Sequence, residues 1–499
     1  SSTSSTSSTS STSSASAVDV SEDSTEEREE VAAVGELLRQ LAKDIPRCHS
    51  YHPELTKQEY GGRFVNVLIA WSMKNRERMY WQGLDSMLAP LLLLYKREDE
   101  AYFMLERMIQ IFLPEIFIMD NHLALQERLL GLRHLLSFLD PELSNHFQEI
   151  GVTPNLYAIS WFLTMFAHVL PMHVVYHVWD AILSLSCLDA ISSRAANSSN
   201  SSSTNSATTN NTANNTVNST TTTNNSSFAS SESGAAHPER EHSARGLPVM
   251  FAAVLLCRLR DFLLGEDFPS TVLFLTSLPC PMEDIVRDVL RILPLACRLV
   301  PHSIQTLYPP SSDEGGERHS RRAEEAPKME NTMNHKIENK TQKHGTRDVI
   351  DQVRKEETRY VSKSEFQKRR EMHMEESKFE RSPRVTIEEV LFGPTFDRTL
   401  LVDVRSTDLF LERHLLGSIN VPIGVERVSA CKNVSSQKTQ MRREYVFVLA
   451  DDVTSASAFA ASLVEHGIPF VAVVGEPAES LFEASDSSIV VLSKKRSRR

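Results

Sequence analysis

The chain has 499 residues, 41 % of them hydrophobic, and a formal net charge of −12. That length allows more than one domain, and the acidic balance excludes a general nucleic-acid binder. Six cysteines without a CxxC pair argue against a structural zinc site and against a secreted disulfide scaffold.

Ser1 stands where an initiator Met is expected, so the sequence reads as a piece of a longer protein. Residues 1–30 form a Ser/Thr-rich and acidic leader, too poor in apolar groups to build a core and predicted to be disordered. Ser24 and Glu27 have capping-box spacing, and Val31, Val34, Leu37, Leu38 and Leu41 fall on one helical face. Pro46 disfavours helix at Ile45, which ends this first helix near Asp44. Phe64, Val67, Leu68 and Trp71 repeat the helical spacing. Apolar helical runs follow at 84–95, 101–112, 123–139, 161–170, 173–185, 247–264 and 270–299. The region 31–310 is therefore expected to be all-α.

Within it, the run 157–179 is apolar enough to be mistaken for a membrane span. His168, His173 and His177 with a mid-span Pro171 make a bilayer helix costly, so two buried helices meeting at Pro171 are expected. His173 and His177 lie one turn apart but lack the Glu of HExxH. Asn, Ser and Thr dominate an insertion over 192–245, predicted to be disordered inside the helical domain.

Residues 311–383 read as a charged linker, with a polar-helix candidate in SEFQKRREMHMEESKFE but no sustained heptad. Over 384–492 the pattern changes. RTLLVDV, EYVFVLA and PFVAVVG are short β-rich runs, and SASAFAASLVEHG is a helix ending at Gly467. Strands alternating with helices predict a small α/β domain with a parallel sheet. The basic tail 493–499 reads as solvated.

Two stretches carry candidate chemistry. In LAKDIPR, Asp44 precedes Arg47 by three residues and can hold its guanidinium by a charge-assisted bond. Taken alone, this is an exposed ion pair worth about 0–1 kcal/mol. In MYWQGLD, Gln82 can donate and accept, Gly83 admits a close backbone approach, and Tyr80 and Trp81 are a bulky brace. Taken alone, Gln82 is an ordinary loop residue.

Together, and in this order, the two stretches resemble the TBC domain, the family of GTPase-activating proteins for Rab GTPases, with its IxxDxxR and YxQG motifs. The matching residues are Leu41 (for the usual Ile), Asp44 and Arg47, then Tyr80, Gln82 and Gly83. A later aromatic pattern matches at Trp161, Phe162, Phe166, Pro171, Trp179 and Asp180. The resemblance implies a dual-finger mechanism. Arg47 neutralises charge on the γ-phosphate in the Rab's nucleotide site, a contribution worth ~10³–10⁵ in rate. Gln82 orients the attacking water, supported by Asp44, Tyr80, Trp81 and Gly83. The resemblance further implies no cofactor of the chain's own, since GTP and Mg are held by the partner GTPase. It implies an activator rather than an enzyme with its own turnover, a regulator of membrane trafficking that is cytoplasmic and recruited to endomembranes through the Rab.

DIPRCH, YWQGLDS, DPELSNHFQEIG and LYAISWFLTMFAHVLP resemble, more narrowly, the TBC domain-containing protein kinase-like family. Its members carry a kinase-like domain, a TBC domain and a rhodanese-like domain. No DFG, HRD or VAIK signature occurs here, so the kinase-like part is expected to lie outside this chain. LLVDVRSTDLFLERHLLGSINVPI resembles a rhodanese domain, with Asp403, Arg405, His414, Gly417, Ser418, Asn420 and Pro422 on its pattern. Active rhodaneses place a nucleophilic Cys after the central strand. Here Asp451, Asp452 and Val453 occupy that position, and Cys431 precedes the strand. Two carboxylates repel an anionic sulfur donor, so neither sulfurtransferase nor phosphatase activity is expected. The domain is instead expected to bind other subunits or to be structural. A second reading stays open on these grounds: a scaffold using both folds as docking surfaces.

Overall fold

A computed structural model describes residues 23–76, 78, 80–114, 116, 123–201, 238–279, 282–305, 372, 374–485 and 489–492. Most of the leader, the middle of the insertion, most of the charged linker and the basic tail lie outside these residues. The chain divides into two compact units, Ser1–Glu106 and Arg107–Arg499. This division does not separate the helical part from the α/β part.

The first unit holds α1 (Asp23–Asp44), a 3-10 turn at Ile45–Arg47, α2 (Gln58–Lys74), α3 (Leu84–Leu94) and the start of α4 (Glu98–Phe112). α1 begins at Asp23, so Ser24 lies inside the helix instead of capping it. Its apolar stripe is also less buried than its spacing predicts. Val31 and Leu38 are exposed and only Leu41 is fully buried, because only the last turn packs. α2 starts at Gln58, earlier than its first apolar residue, and buries Phe64, Val67, Leu68 and Trp71 as expected.

The second unit continues with α5 (Leu123–Leu139), α6 (Pro141–Ile150), α7 (Ala158–Leu163), α8 (Met172–Ser201) and α9 (Pro238–Arg258). Then come α10 (Arg260–Leu263), α11 (Phe268–Ser277), α12 (Met282–Leu299) and α13 (His302–Gln305). α9 is apolar all round from Val249 to Leu256 and packs on α5, α8 and α12, as a helix buried on every side must. α6 was not anticipated by apolar spacing. Its ends are nonetheless well marked, since Asp140 accepts the Leu143 N–H at 3.1 Å and Gly151 closes the helix at φ 78°.

Three helix predictions need correction. The run 161–170 is helical only to Leu163, because Met165 and Phe166 take φ 48° and 66°. That backbone lets the Phe166 ring meet Phe251 at 4.7 Å and the Trp179 Nε1–H reach the Met165 carbonyl at 2.8 Å, so core packing overrides helical propensity. The run 270–299 is two helices, broken at Leu278 with φ 38° just before Pro279. Finally, α8 and α9 extend into the insertion from both sides, to Ser201 and from Pro238. His173 faces Glu283 at 2.5 Å.

The α/β part carries β1 (Arg384–Val385), β2 (Thr399–Asp403), β3 (Arg413–Leu415), β4 (Ile419–Asn420), β5 (Tyr445–Leu449), β6 (Val471–Val474) and β7 (Val490–Leu492). One sheet has the order β1-β6-β5-β2-β4 with parallel pairing throughout, and β3 pairs antiparallel with β7 apart from it. Every residue of β5 is buried, as expected of a central parallel strand covered on both faces. Val446 and Val448 join a cluster with Leu400, Val402, Leu463 and Val464. The linker's last residues belong to this fold as well. Residues 374–377 are helical, Ser382 and Pro383 are buried, and the Pro383 carbonyl accepts the Val473 N–H at 2.9 Å. Among the described residues, no helix is long and apolar enough to cross a membrane.

Candidate functional site

α1 hands over at Asp44 to the 3-10 turn Ile45–Arg47, and the Cys48 N–H closes that turn on the Asp44 and Ile45 carbonyls, both at 3.1 Å. Arg47 thus stands at the end of a fixed turn with its side chain 58 % exposed, while the Asp44 side chain is 1 % exposed. The Asp44 carboxylate takes the Arg47 guanidinium on Oδ1. On Oδ2 it accepts the Gln40 amide at 2.9 Å and the Tyr80 hydroxyl at 3.0 Å. The pair expected from spacing is formed, with its arginine exposed and its carboxylate buried. A carboxylate this buried needs its donors.

Tyr80 also lies 3.4 Å from Asp85 Oδ1, and the same oxygen accepts the Gly83 N–H at 3.0 Å. One hydroxyl proton serves one acceptor well, and the shorter bond to Asp44 is the better one. Burial first, then the charges of Asp85 and Asp44, push the Tyr80 pKa far above its ordinary value. Tyr80 is therefore a neutral donor. The neighbouring Cys48 thiol is likewise pushed up, chiefly by burial and then by Asp85, which removes it as a nucleophile.

Gly83 takes φ 110° at the start of α3, a left-handed backbone that only glycine adopts without strain. The Trp81 ring meets the fully buried Trp71 edge to face, with centroids 5.5 Å apart at 88°. Gln82 sits between this braced ring and the glycine turn and is exposed. Asp44, Arg47 and Tyr80 are thus brought together, with Trp81, Gln82 and Gly83 on the same loop. Arg47 and Gln82 share no hydrogen bond with each other among the described residues. Met79 lies outside them.

Spacing alone missed Gln40, Asp85 and His49. His49 is the most instructive. Pro90 sits inside α3 and has no N–H to give the Ser86 carbonyl one turn back. His49 Nε2 lies 3.2 Å from that carbonyl, and its Nδ1 lies 3.1 Å from the Tyr51 hydroxyl. These partners call for the Nε2–H tautomer. The loop after Arg47 is thereby tied to the helix after Gln82, a second link between the two motifs. A buried-helix proline paired with a histidine after the arginine turn was the available signal.

In the α/β part, Asp403 and Arg405 form a buried bidentate pair, with Nη2 to Oδ2 at 2.7 Å and Nε to Oδ1 at 3.0 Å. The Arg405 guanidinium also donates to the Arg413 carbonyl at 2.7 Å and lies 4.7 Å from the Phe482 ring centroid. The Asn420 amide donates to the Asp403 and Arg405 carbonyls at 3.0 and 2.9 Å, and His414 Nδ1 faces the Phe410 carbonyl at 2.8 Å. Ser418 bonds the Leu415 carbonyl at 2.6 Å, next to Gly417 at φ 83°. After β5, Asp452 caps the helix Val453–Glu465 by accepting the Ser455 N–H at 2.7 Å; its pKa is lowered, first by the Ser455 side chain and then by this backbone bond. Cys431 is buried with a raised pKa, burial being the main cause.

Residues 4–192 match the Rab-GTPase-TBC domain, so the helical region carries a TBC domain. The TBC domain-containing protein kinase-like protein of Gallus gallus is 29 % identical over 461 residues, covering 87 % of this chain and 42 % of the relative. That of Mus musculus is 47 % identical over 146 residues, 29 % of this chain and 16 % of the relative. The chain is similar to the TBC domain-containing protein kinase-like proteins and spans less than half the length of these relatives. The Ypt/Rab-GAP domain of Gyp1p superposes on 54 % of this chain and 74 % of its own, at 18 % identity and a TM-score of 0.38.

Proposed function

We propose that the chain accelerates GTP hydrolysis on a Rab-family GTPase, with Arg47 and Gln82 as its two fingers. The observation that carries this reading is Asp44, a buried carboxylate that holds Arg47 on one oxygen and Tyr80 on the other. A fixed guanidinium suits the charge spread over a transferring phosphoryl group. A primary amide can bond both an attacking water and a phosphate oxygen. GTP and its Mg are held by the partner, and the chain needs no cofactor of its own. Acting on a Rab makes it a regulator of membrane trafficking, drawn to endomembranes by that partner. Single-turnover hydrolysis by a panel of GTP-loaded Rabs tests this. Acceleration should disappear in Arg47→Ala and in Gln82→Ala. A panel with no responder, or mutants as active as wild type, overturns it.

The α/β part is read here as a rhodanese-like fold without the chemistry. Arg405 is committed to Asp403, and Asp452 caps a helix at the position where a nucleophile is needed. Thiosulfate should give no sulfur transfer above background, and measurable turnover sinks this reading. Those same commitments favour the second reading, a scaffold that docks other subunits through folds kept after catalysis was lost. The Rab panel decides between the two.

A further inference from the structure

Phe138 is fully buried near the end of α5, yet its neighbours are not only helical. Its carbonyl accepts the Phe470 N–H, just before β6, at 2.8 Å. Its ring meets Tyr445 at 6.3 Å and Phe470 at 5.5 Å. Tyr445 opens the central strand β5, and its hydroxyl donates to the Leu299 carbonyl at the end of α12, 2.7 Å away. A backbone-to-backbone hydrogen bond beneath three packed rings has the character of a domain core.

A second line of contact is polar. The Arg133 guanidinium on α5 donates to the Lys378 and Glu380 carbonyls at 2.7 and 2.8 Å. The Glu380 carboxylate in turn holds Arg384 of β1 at 2.8 Å and accepts the Ser457 hydroxyl at 3.0 Å. On α6, the Asn145 amide donates to the Val464 and Glu465 carbonyls at 3.0 and 3.3 Å, and its oxygen accepts Arg381 at 2.6 Å. The last carbonyls of a helix have no partner within it. Here a side chain of the helical part donates to two of those of the helix Val453–Glu465, at Val464 and Glu465.

We propose that the α5–α6 face of the TBC domain is an interaction surface whose permanent occupant is the chain's own α/β part. The described residues of 123–305 and 377–492 then move as one body, held by this contact rather than by the chain that connects them. Loosely linked domains meet through smaller, wetter and more polar surfaces. The face is consequently closed to outside partners.

Cleavage in place tests this. A site-specific protease sequence is inserted into the full chain within 306–371 and cut after purification. The two halves should co-elute at low-micromolar concentration and unfold in a single thermal transition. Asn145 is only half-buried, so Asn145→Ala leaves both halves folded. It should weaken their association by about tenfold to a hundredfold through the lost hydrogen bonds. Halves that separate on cleavage overturn the proposal. So does co-elution that Asn145→Ala leaves unchanged, since the contact would then lie elsewhere.

Discussion

Asp44 and Tyr80 are joined by a 3.0 Å hydrogen bond across 36 positions of sequence, and the same carboxylate holds Arg47. One buried acid therefore connects the turn that presents the arginine with the loop that presents the glutamine. Neither candidate finger is placed by its own contacts alone. Each depends on a group that stays out of water.

Asp44→Ala removes that connection. Tyr80 loses its shorter acceptor and Arg47 swings free, so a stability loss of about 1–3 kcal/mol is expected. Stimulation of a responsive Rab should fall by ~10–100-fold through misplacement, less than the ~10³–10⁵ lost when the arginine itself is removed. Urea unfolding and single-turnover hydrolysis measure the two effects. Wild-type stability and activity in this variant contradict the assigned role.

Much of this site was legible because its chemistry is local in sequence. Asp44 and Arg47 are three residues apart, and Gln82 and Gly83 are adjacent. The missing pieces act across distance. His49 matters only because Pro90, far along the chain, leaves the Ser86 carbonyl without its helical donor. In the fold, strands β2, β5 and β6 were evident from β-branched runs. The break after Leu163 was not, because the left-handed backbone of Met165 and Phe166 is set by contacts with Trp179 and Phe251.

The tie through His49 can be isolated by a double-mutant cycle. His49→Ala leaves the Ser86 carbonyl unsatisfied in a buried setting, at a cost of about 1–3 kcal/mol. Pro90→Ala restores an N–H one turn ahead of that carbonyl. In the Pro90→Ala background, His49→Ala should therefore cost less. Chemical denaturation of the four proteins gives the coupling. Equal costs in both backgrounds mean that His49 does not replace the proline's missing donor.

Lys438 provides a pH test in the α/β part. Its ammonium donates to the Pro469 carbonyl at 2.7 Å and lies 5.7 Å from the Phe470 ring centroid. Burial lowers its pKa from 10.5 to about 8, against a weaker opposing pull from Glu444. Between those two values the unfolded chain binds a proton that the folded chain has released, so stability rises with pH. Below the lower value both states are charged and the burial penalty is present in full. Lys438→Met carries no such penalty. The difference in Tm, Met variant minus wild type, should be largest below about pH 8 and shrink as pH approaches 10.5. A difference that is flat or grows across that window is inconsistent with a depressed Lys438.

Arg405 tests whether the strand-end motif is structural. Its side chain is 6 % exposed and that of Asp403 1 %. Besides Asp403, the guanidinium reaches the Arg413 carbonyl and the Phe482 ring. An arginine kept to receive an anion needs free donors, whereas the Nε and Nη2 donors of this one are taken within the fold. Arg405→Met keeps most of the packing volume but leaves Asp403 as a buried charge without its counterion, a change that costs about 3–5 kcal/mol. Pairing it with Asp403→Asn removes that charge, so the double variant should be more stable than Arg405→Met alone. Urea unfolding of the wild type, the single variant and the double variant orders the three. If Arg405→Met unfolds like wild type, the pair is not holding β2 to its neighbours, and Arg405 becomes available for an anionic ligand.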